Sequence, residues 1–239
     1  MKRQAVLDIH THTVASGHAY GTVRENALAA KEIGLKALGI SDHAPGTPGT
    51  CDPIHFTNLR AIPRTLYGVY LYFGVENNVL PDGTMALPER ILEGLDYNIV
   101  GIHGTCYTDQ GVAKNTDNLI RCMKHPKTFF LSHPDDGTWP LDYERLVCAA
   151  KEYGVALEVN NATVRGGWKK NCLENIRTYL KLCMQYRVPV FLGSDAHDPS
   201  QVGRFDEAIA LLDAAGFDES LILNCSEEAF RAFIRFPVS

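Results

Sequence analysis

Short runs of apolar residues recur along the whole chain and are rich in Val, Ile, Leu, Phe and Tyr. Each run has the length of a β-strand and is followed by polar residues, a loop and a helix-like segment. Strands that alternate with helices in this way predict a parallel sheet. The predicted strands cover residues 5–9, 37–40, 69–75, 97–102, 128–131, 155–159 and 189–192.

Helix signals fill the intervals between these strands. Thr22 and Glu25 have the spacing of a capping box, and apolar residues then recur at helical spacing as far as Gly34. A similar stripe over 143–150 stops at Gly154. These stripes indicate helix faces that pack on the sheet, and we assign them no function.

Loop lengths are unequal on the two sides of the predicted strands. Turns from helix into strand are short, whereas long segments follow several strands, at 44–55, 104–113, 134–140 and 162–171. Long loops of a βα barrel lie at the C-terminal ends of its strands, where the active site is built. The sequence therefore predicts a single α/β domain over 1–239, folded as a seven-stranded, TIM-barrel-like structure. An eighth strand at 221–224 stays open.

Residue types that bind metals occur just past the predicted strands. His10 and His12 end the first strand two positions apart, so their side chains point to the same face. His18 lies in the loop that follows, close enough in sequence to fold back over His12. From His12 onward the strand-end residues are His43, Glu76, His103, His133, Asn160, and Asp195 with His197, at spacings of 27 to 35 residues. Each spacing is about one βα unit.

This series is better explained by a metal than by packing. An isolated His-x-His pair is more often chance, but seven of the nine histidines fall in the series and only His55 and His125 remain. Buried imidazoles and carboxylates are costly without partners, and a metal ion satisfies both at once. The seven cysteines lie outside the series, which favours a catalytic site over a closed structural one.

Bulk composition limits the other function classes. With 45% hydrophobic and 21% charged residues, the chain has the composition of a soluble globular protein. A formal charge of −5 argues mildly against an extended nucleic-acid surface. The sequence has no apolar run of membrane-spanning length, no signal peptide and no regular cysteine spacing, so we expect a cytoplasmic protein with reduced thiols.

Four motifs of the series together resemble the signature of the PHP (polymerase and histidinol phosphatase) family. They are His10-Thr11-His12, Asp42-His43, Ser132-His133-Pro134 and Asp195-Ala196-His197. Segments 8–20, 74–77, 158–161 and 193–197 look like those of its YcdX-type bacterial phosphatase branch. The similarity runs through nearly the whole chain.

The resemblance implies a distorted (β/α)7 barrel, a phosphoesterase activity and three divalent metal ions, usually described as zinc. Nitrogen and oxygen ligands fit zinc and leave manganese and iron open. The family's ligand positions, transferred to this sequence, imply that His10, His12, Glu76 and Asp195 hold the first metal. Glu76 would bridge to a second metal, which His103 and His133 complete. The third would be held by His18, His43 and His197.

The expected reaction is hydrolysis of a small phosphomonoester. A metal-bound hydroxide with a pKa of ~7 attacks phosphorus, so no side chain is assigned as the nucleophile. Asp8 and Asp42 are candidates for orienting imidazoles, although a turn-initiating role explains Asp42 equally well.

Phosphate binding needs donors beyond the metals. Arg165, in the loop after the sixth predicted strand, is the first candidate because arginine suits bidentate phosphate recognition. Arg60 and His55, beside the loop after the second strand, come next. For each, a solvated loop charge is the equal alternative. Lys169 and Lys170 are more simply the solvated start of a helix.

Three alternatives stay open. A histidinol-phosphate phosphatase is poorly separated from a general phosphatase by sequence. A PHP-type nuclease would need a basic, aromatic-lined groove, and the sequence offers only Arg165, Lys169 and Lys170 close together. A metal-binding protein without catalysis fits less well, because the implied ligand set leaves open coordination positions. We expect a small phosphorylated substrate and no membrane partner, and an oligomer stays open.

Overall fold

The computed structural model describes residues 4–167 and 169–236, and within them it has a mixed α/β fold. The strands are β1 (Leu7–Asp8), β2 (Ala37–Ile40), β3 (Thr65–Leu66), β4 (Val69–Phe73), β5 (Glu76–Asn78), β6 (Asn98–Gly101), β7 (Thr128–Leu131), β8 (Ala156–Asn160) and β9 (Val190–Gly193). The helices are α1 (Val23–Glu32), α2 (Ile54–Asn58), α3 (Glu89–Leu92), α4 (Val112–Met123), α5 (Tyr143–Tyr153), α6 (Asn161–Gly166), α7 (Cys172–Tyr186), α8 (Asp206–Ala214) and α9 (Glu227–Phe233).

The strands form two mainly parallel sheets. The first has the order β1-β2-β4-β3 and the second the order β5-β6-β7-β8-β9. Among the strands of the described residues, the short β3 alone runs antiparallel to its neighbour, β4. The predicted parallel pairing is thus confirmed, and each of the seven predicted strands overlaps an observed one. Across the described residues, the strands do not join into one closed sheet.

The run predicted as one strand over 69–75 contains only β4, and β5 begins directly after it in the other sheet. β4 pairs with β2, whereas β5 pairs with β6. The chain crosses between the sheets at Gly74, where an added Cβ would overlap the buried Tyr97 ring. Glycine is therefore required at this close approach. The crossing places Glu76 at the junction, where it also forms an isolated parallel bridge with His43.

The possible eighth strand at 221–224 is not a strand. Two short 3₁₀ turns, Glu219–Leu221 and Leu223–Cys225, occupy this segment, and Ile222 makes a single bridge to Val190. The buried side chain of Asn224 takes over the pairing. Its Nδ2 donates to the carbonyls of Leu7 (2.9 Å) and Leu192 (2.8 Å), and its Oδ1 accepts from the Leu192 amide at 2.6 Å. Asn224 thereby fastens β1 to β9.

The helices α1 and α5 lie close to where the sequence signals predicted them. Thr22 and Glu25 form a complete capping box at the start of α1. Asp142 caps α5, which ends at a left-handed Gly154. Within the described residues, every helix is too short or too polar to cross a membrane. All seven cysteines are free thiols, as their irregular spacing predicted.

We expect Asn224→Leu to lower the free energy of unfolding by roughly 2–4 kcal/mol, since it leaves buried backbone groups of β1 and β9 without partners. Urea unfolding followed by circular dichroism measures the loss. Asn58→Leu, at an exposed helix position, is the matched control. Equal stability of the two variants would contradict the fastening role.

Candidate metal centre

The structure brings all nine predicted ligands together at the C-terminal ends of the strands. A cavity of about 510 Å³ opens beside them. His10 and His12 lie under its floor and are almost completely buried. The ligands that line the cavity itself are His18, His43, Glu76, His103, His133, Asp195 and His197.

The first group surrounds one oxygen of Glu76. Oε2 lies 3.3 Å from Nε2 of His10 and 3.4 Å from Nε2 of His12. Oδ1 of Asp195 lies 3.2 Å from the same nitrogen of His12. These four facing atoms are buried, and none makes a hydrogen bond within the described structure. Such a cluster of unpartnered donor atoms is what a metal ion would satisfy.

The second group surrounds the other oxygen of Glu76. Oε1 lies 3.2 Å from Nε2 of His103 and 3.0 Å from Nε2 of His133. The two ring nitrogens are 3.2 Å apart. The two oxygens of Glu76 therefore face two separate sets of imidazoles, the arrangement expected of a bridging carboxylate.

The third group lies at the exposed side of the cluster. Nε2 of His18 and Nε2 of His197 are 3.0 Å apart, and the His43 ring stacks near His18. His43 also turns Nδ1 toward Glu76 Oε2, at 2.9 Å. The triads with atoms close enough to share one ion are His12–His43–His197, His10–His12–Glu76 and His43–Glu76–His103. His43 thus stands between two groups.

Neighbouring acceptors fix the protonation of several rings. Each of these imidazoles has its Nδ1 against an oxygen that can only accept, so Nδ1 carries a hydrogen, and Nε2 has its lone pair whenever the ring is neutral. The pairs are His10 with Glu158 Oε1 (2.6 Å), His18 with the Ser16 carbonyl (3.0 Å), His103 with Asn78 Oδ1 (2.7 Å) and His197 with the Asp195 carbonyl (2.9 Å). Asn78 is held in this orientation because its Nδ2 donates to two backbone carbonyls.

Asp42 acts on His12 through a hydroxyl. Ser16 Oγ donates to Asp42 Oδ1 at 2.7 Å and so accepts from Nδ1 of His12 at 3.0 Å. The same hydroxyl accepts from the backbone amide of His43. Asp42 therefore helps to orient the His12 imidazole, which is one of the two roles that the sequence suggested for it. Asp8 accepts instead from the backbone amides of Gly203 and His10.

Glu158 is a site residue that the strand-end series missed. It is fully buried, and its two oxygens contact His10 Nδ1 and the backbone amide of His133. Asn160, the exception in the series, donates from Nδ2 to both Glu158 and Asp195. The available signal was an acidic residue inside the apolar run 155–159.

The charges of this cluster are strongly coupled. Burial lowers the pKa of His12 to about 3 and that of His103 to about 4, which keeps both rings neutral. Burial also opposes a charge on His10, but Glu158 and Glu76 outweigh it and raise the pKa of His10 well above its usual value. The buried carboxylates therefore require positive charge at this point, which a bound cation would supply.

Two ligand candidates have left-handed backbone conformations. His133 has φ of 29° and Asp195 has φ of 52°. A non-glycine residue in such a conformation costs about 1–3 kcal/mol and persists only when its surroundings fix it. The Asp195 amide donates to the His10 carbonyl at 3.0 Å, and the His133 amide donates to Glu158. These bonds hold both side chains toward the cluster.

Only one of the predicted phosphate-binding residues reaches the cavity. Arg165 lines it, and so does Lys169, which the sequence suggested was only a solvated helix start. Arg60 lies instead in a separate hollow beside α2. His55 contacts Asp42 Oδ2 at 3.3 Å from outside the cluster. For Arg60 and His55, substrate binding stays a prediction without geometric support.

Sequence relatives cover almost the entire chain. It is 41% identical over 240 residues to a probable phosphatase of Caldanaerobacter subterraneus, with 98% of this chain and 93% of the relative covered. It is 38% identical over 234 residues to a probable phosphatase of Clostridium novyi, with 96% and 94% covered. No family model matches the chain.

Solved structures share the fold at low sequence identity. A histidinol phosphate phosphatase of Lactococcus lactis, complexed with zinc, L-histidinol and phosphate, has a TM-score of 0.58 at 14% identity, with 89% of this chain and 94% of that one covered. A chain in an archaeal ribonuclease P structure with mature tRNA has a TM-score of 0.62 at 18% identity, with 96% and 90% covered. These likenesses concern the fold alone.

We expect Glu158→Gln to weaken divalent-metal binding by roughly 10- to 100-fold. Both oxygens of Glu158 accept hydrogen bonds, one from His10 Nδ1 and one from the His133 backbone amide. In the glutamine variant the side-chain NH₂ replaces one of these oxygens, so two hydrogen-bond donors face each other. If it faces His10, the ring proton moves to Nε2 and removes the lone pair. Competition with a chromogenic chelator measures the affinity. Glu93→Gln, on an exposed residue, is the control, and equal affinities in both variants would contradict the role of Glu158.

Proposed function

Because the chain belongs to this family of probable phosphatases, we propose that it is a metal-dependent phosphomonoesterase of the PHP family and its YcdX-type branch. The family relationship makes it a hydrolase of the phosphatase class. Metal dependence is inferred from buried donor atoms that face one another without hydrogen-bond partners. These atoms are Nε2 of His10, Nε2 of His12, Oε2 of Glu76 and Oδ1 of Asp195.

The donor spacing fits divalent metal ions. Two nitrogens each bound at 2.0–2.1 Å to a zinc ion, with an angle near 90–110° between them, are roughly 3.0–3.4 Å apart. The Nε2–Nε2 separations of 3.0 Å for His18 and His197 and 3.2 Å for His103 and His133 fall in this range. Because Nδ1 of His18 and Nδ1 of His197 each donate to a backbone carbonyl, their Nε2 lone pairs face each other and cannot be hydrogen-bonded, so a cation between them explains the approach.

We assign three ions to the cluster. His10, His12, Glu76 and Asp195 would hold the first, and the second oxygen of Glu76 would join it to an ion held by His103 and His133. His18, His43 and His197 would hold the third. The closeness of His43 Nδ1 to Glu76 supports a continuous cluster. The nitrogen and oxygen donors suit zinc, with manganese or iron as alternatives.

Bound ions would activate water and neutralise the phosphoryl oxygens. The chain's own residues then have three tasks. Glu158, Asn78 and Ser16 keep ring hydrogens on Nδ1 and so keep Nε2 directed into the cluster. Arg165 and Lys169 add positive charge on the cavity wall, where a phosphate would be bound. The cavity walls limit access to the reacting group.

A small substrate suits the cavity better than a polymer. Its volume of about 510 Å³ is within the range of small-molecule sites. Histidinol phosphate is one candidate of suitable size. The archaeal ribonuclease P likeness concerns the fold alone, so it adds no weight to the nuclease alternative.

We further propose that the two sheets are the halves of one distorted (β/α)7 barrel that forms a single domain over 1–239. Isolated parallel bridges support this: Thr11 pairs with Ala196 at one junction, and His43 pairs with Glu76 at the other. Both bridges lie beside proposed ligands, so the metal cluster would occupy the rim where the halves meet.

Removal of the metals should abolish activity reversibly. We expect chelation and dialysis to reduce hydrolysis of a phosphomonoester to the uncatalysed rate, and addition of zinc or manganese to restore it. The metal-free protein should also melt at a lower temperature, because an ion that binds only the native state stabilises it. Elemental analysis verifies the loading. Full activity in a protein shown to be metal-free would refute the proposal.

Arg165→Ala should raise KM for a phosphomonoester roughly tenfold, since one charge-assisted hydrogen bond to phosphate is lost. Steady-state kinetics on the metal-loaded variant measures the change. Arg177→Ala, on an exposed position of α7, removes the same charge away from the cavity and should leave KM unaltered. An unchanged KM in the Arg165 variant would show that this arginine does not bind the phosphate.

A further inference from the structure

The cavity contains an aromatic wall that the proposed phosphoryl chemistry does not use. Trp139 lines the cavity together with the apolar side chains of Ile102 and Ala162, whereas the cations Arg165 and Lys169 lie among the other lining residues. Trp139 is partly buried and also packs on the hydrophobic core of the second sheet. It therefore contacts both the core and the cavity.

Trp139 lies beside the proposed metal ligands. The position that a Cβ would take at Gly104 is 3.3 Å from Cζ2 of the indole, so the ring covers the residue that follows His103. On the other side, the Trp139 amide donates to the Asp136 carbonyl, and the Asp136 amide donates to the His133 carbonyl. One short turn thus joins the indole to His133.

This turn is fixed by its surroundings. The Gly137 amide donates to the Lys170 carbonyl at 2.8 Å, and the Tyr143 hydroxyl donates to the Pro134 carbonyl at 2.9 Å. Asp136 Oδ1 accepts from the Thr138 amide. The backbone that carries the indole is consequently held in place, and packing of the ring on the core limits the side-chain freedom that a ligand would remove.

We propose that the substrate is a phosphomonoester whose alcohol carries a flat, unsaturated ring that stacks on Trp139. The inference rests on the proposed function and names the substrate class for that same site. An indole gains more from a π-face than from a saturated group of equal size. With the phosphate at the metals and the cations, the ring would lie along the wall beside Gly104. Trp139 is then the specificity-determining residue.

A matched pair of probes tests the stacking. In 2-phenylethyl phosphate and 2-cyclohexylethyl phosphate the leaving alcohols have equal carbon numbers and similar acidity. The saturated ring is bulkier and more hydrophobic, so a preference for the phenyl probe would have to come from the flat ring. The metal-loaded wild type should have the higher kcat/KM for the phenyl probe. Trp139→Ala should reduce that preference roughly two- to tenfold, and Trp139→Phe should retain most of it. Thr138→Ala, an exposed neighbour on the same turn, is the control.

The outcomes separate the two proposals. Equal losses of kcat/KM for both probes in Trp139→Ala, or no phenyl preference in the wild type, would overturn the stacking inference and leave the phosphatase intact. Failure of the metal-loaded wild type to hydrolyse any phosphomonoester would overturn the proposed function and this inference with it. Melting temperature and metal content of the Trp139 variants, compared with the wild type, exclude a folding defect as the cause.

Discussion

The Glu76 carboxylate is the group on which the rest of the structure depends. Its two oxygens face imidazoles from different strand ends, and it begins β5 directly after the chain passes from one sheet to the other. Burial disfavours its charge, but His10, His103 and His43 outweigh this effect and hold its pKa well below the usual range. The two sheets cannot separate without exposing or unpairing this carboxylate. Fold and site therefore share one constraint.

A layer of polar residues beneath the imidazoles makes the site rigid before any ligand arrives. Glu158 contacts Nδ1 of His10 and accepts a hydrogen bond from the strained backbone amide of His133. Ser16 Oγ likewise accepts from Nδ1 of His12 and from the backbone amide of His43. Left-handed conformations at His133 and Asp195 are unfavourable locally. They are maintained because hydrogen bonds from neighbouring strands fix them. The geometry of the cluster is thus a property of the folded chain.

The sequence predicted the features that depend on local pattern. Apolar runs and caps located the strands and α1, and equal spacing of strand ends placed His12 and Glu76 on one rim. It could not predict contacts set by long-range register, such as Glu158 with His10, which are 148 residues apart. The crossing at Gly74 was hidden because β5 consists of the polar residues Glu76, Asn77 and Asn78, which form no apolar run. At Asn224 a side chain replaces backbone pairing, which no periodicity reveals.

The fastening of β1 by Asn224 also has a consequence for biosynthesis. Asn224 contacts Leu7 across 217 residues of sequence, so β1 is secured by a segment that is synthesised long after it. Contacts of such long range form late in folding. On the ribosome, His10 and His12 would therefore emerge long before Glu158 and Asn224, and β1 would remain loosely held until Asn224 has been translated. Assembly of the proposed metal cluster would have to wait for that segment.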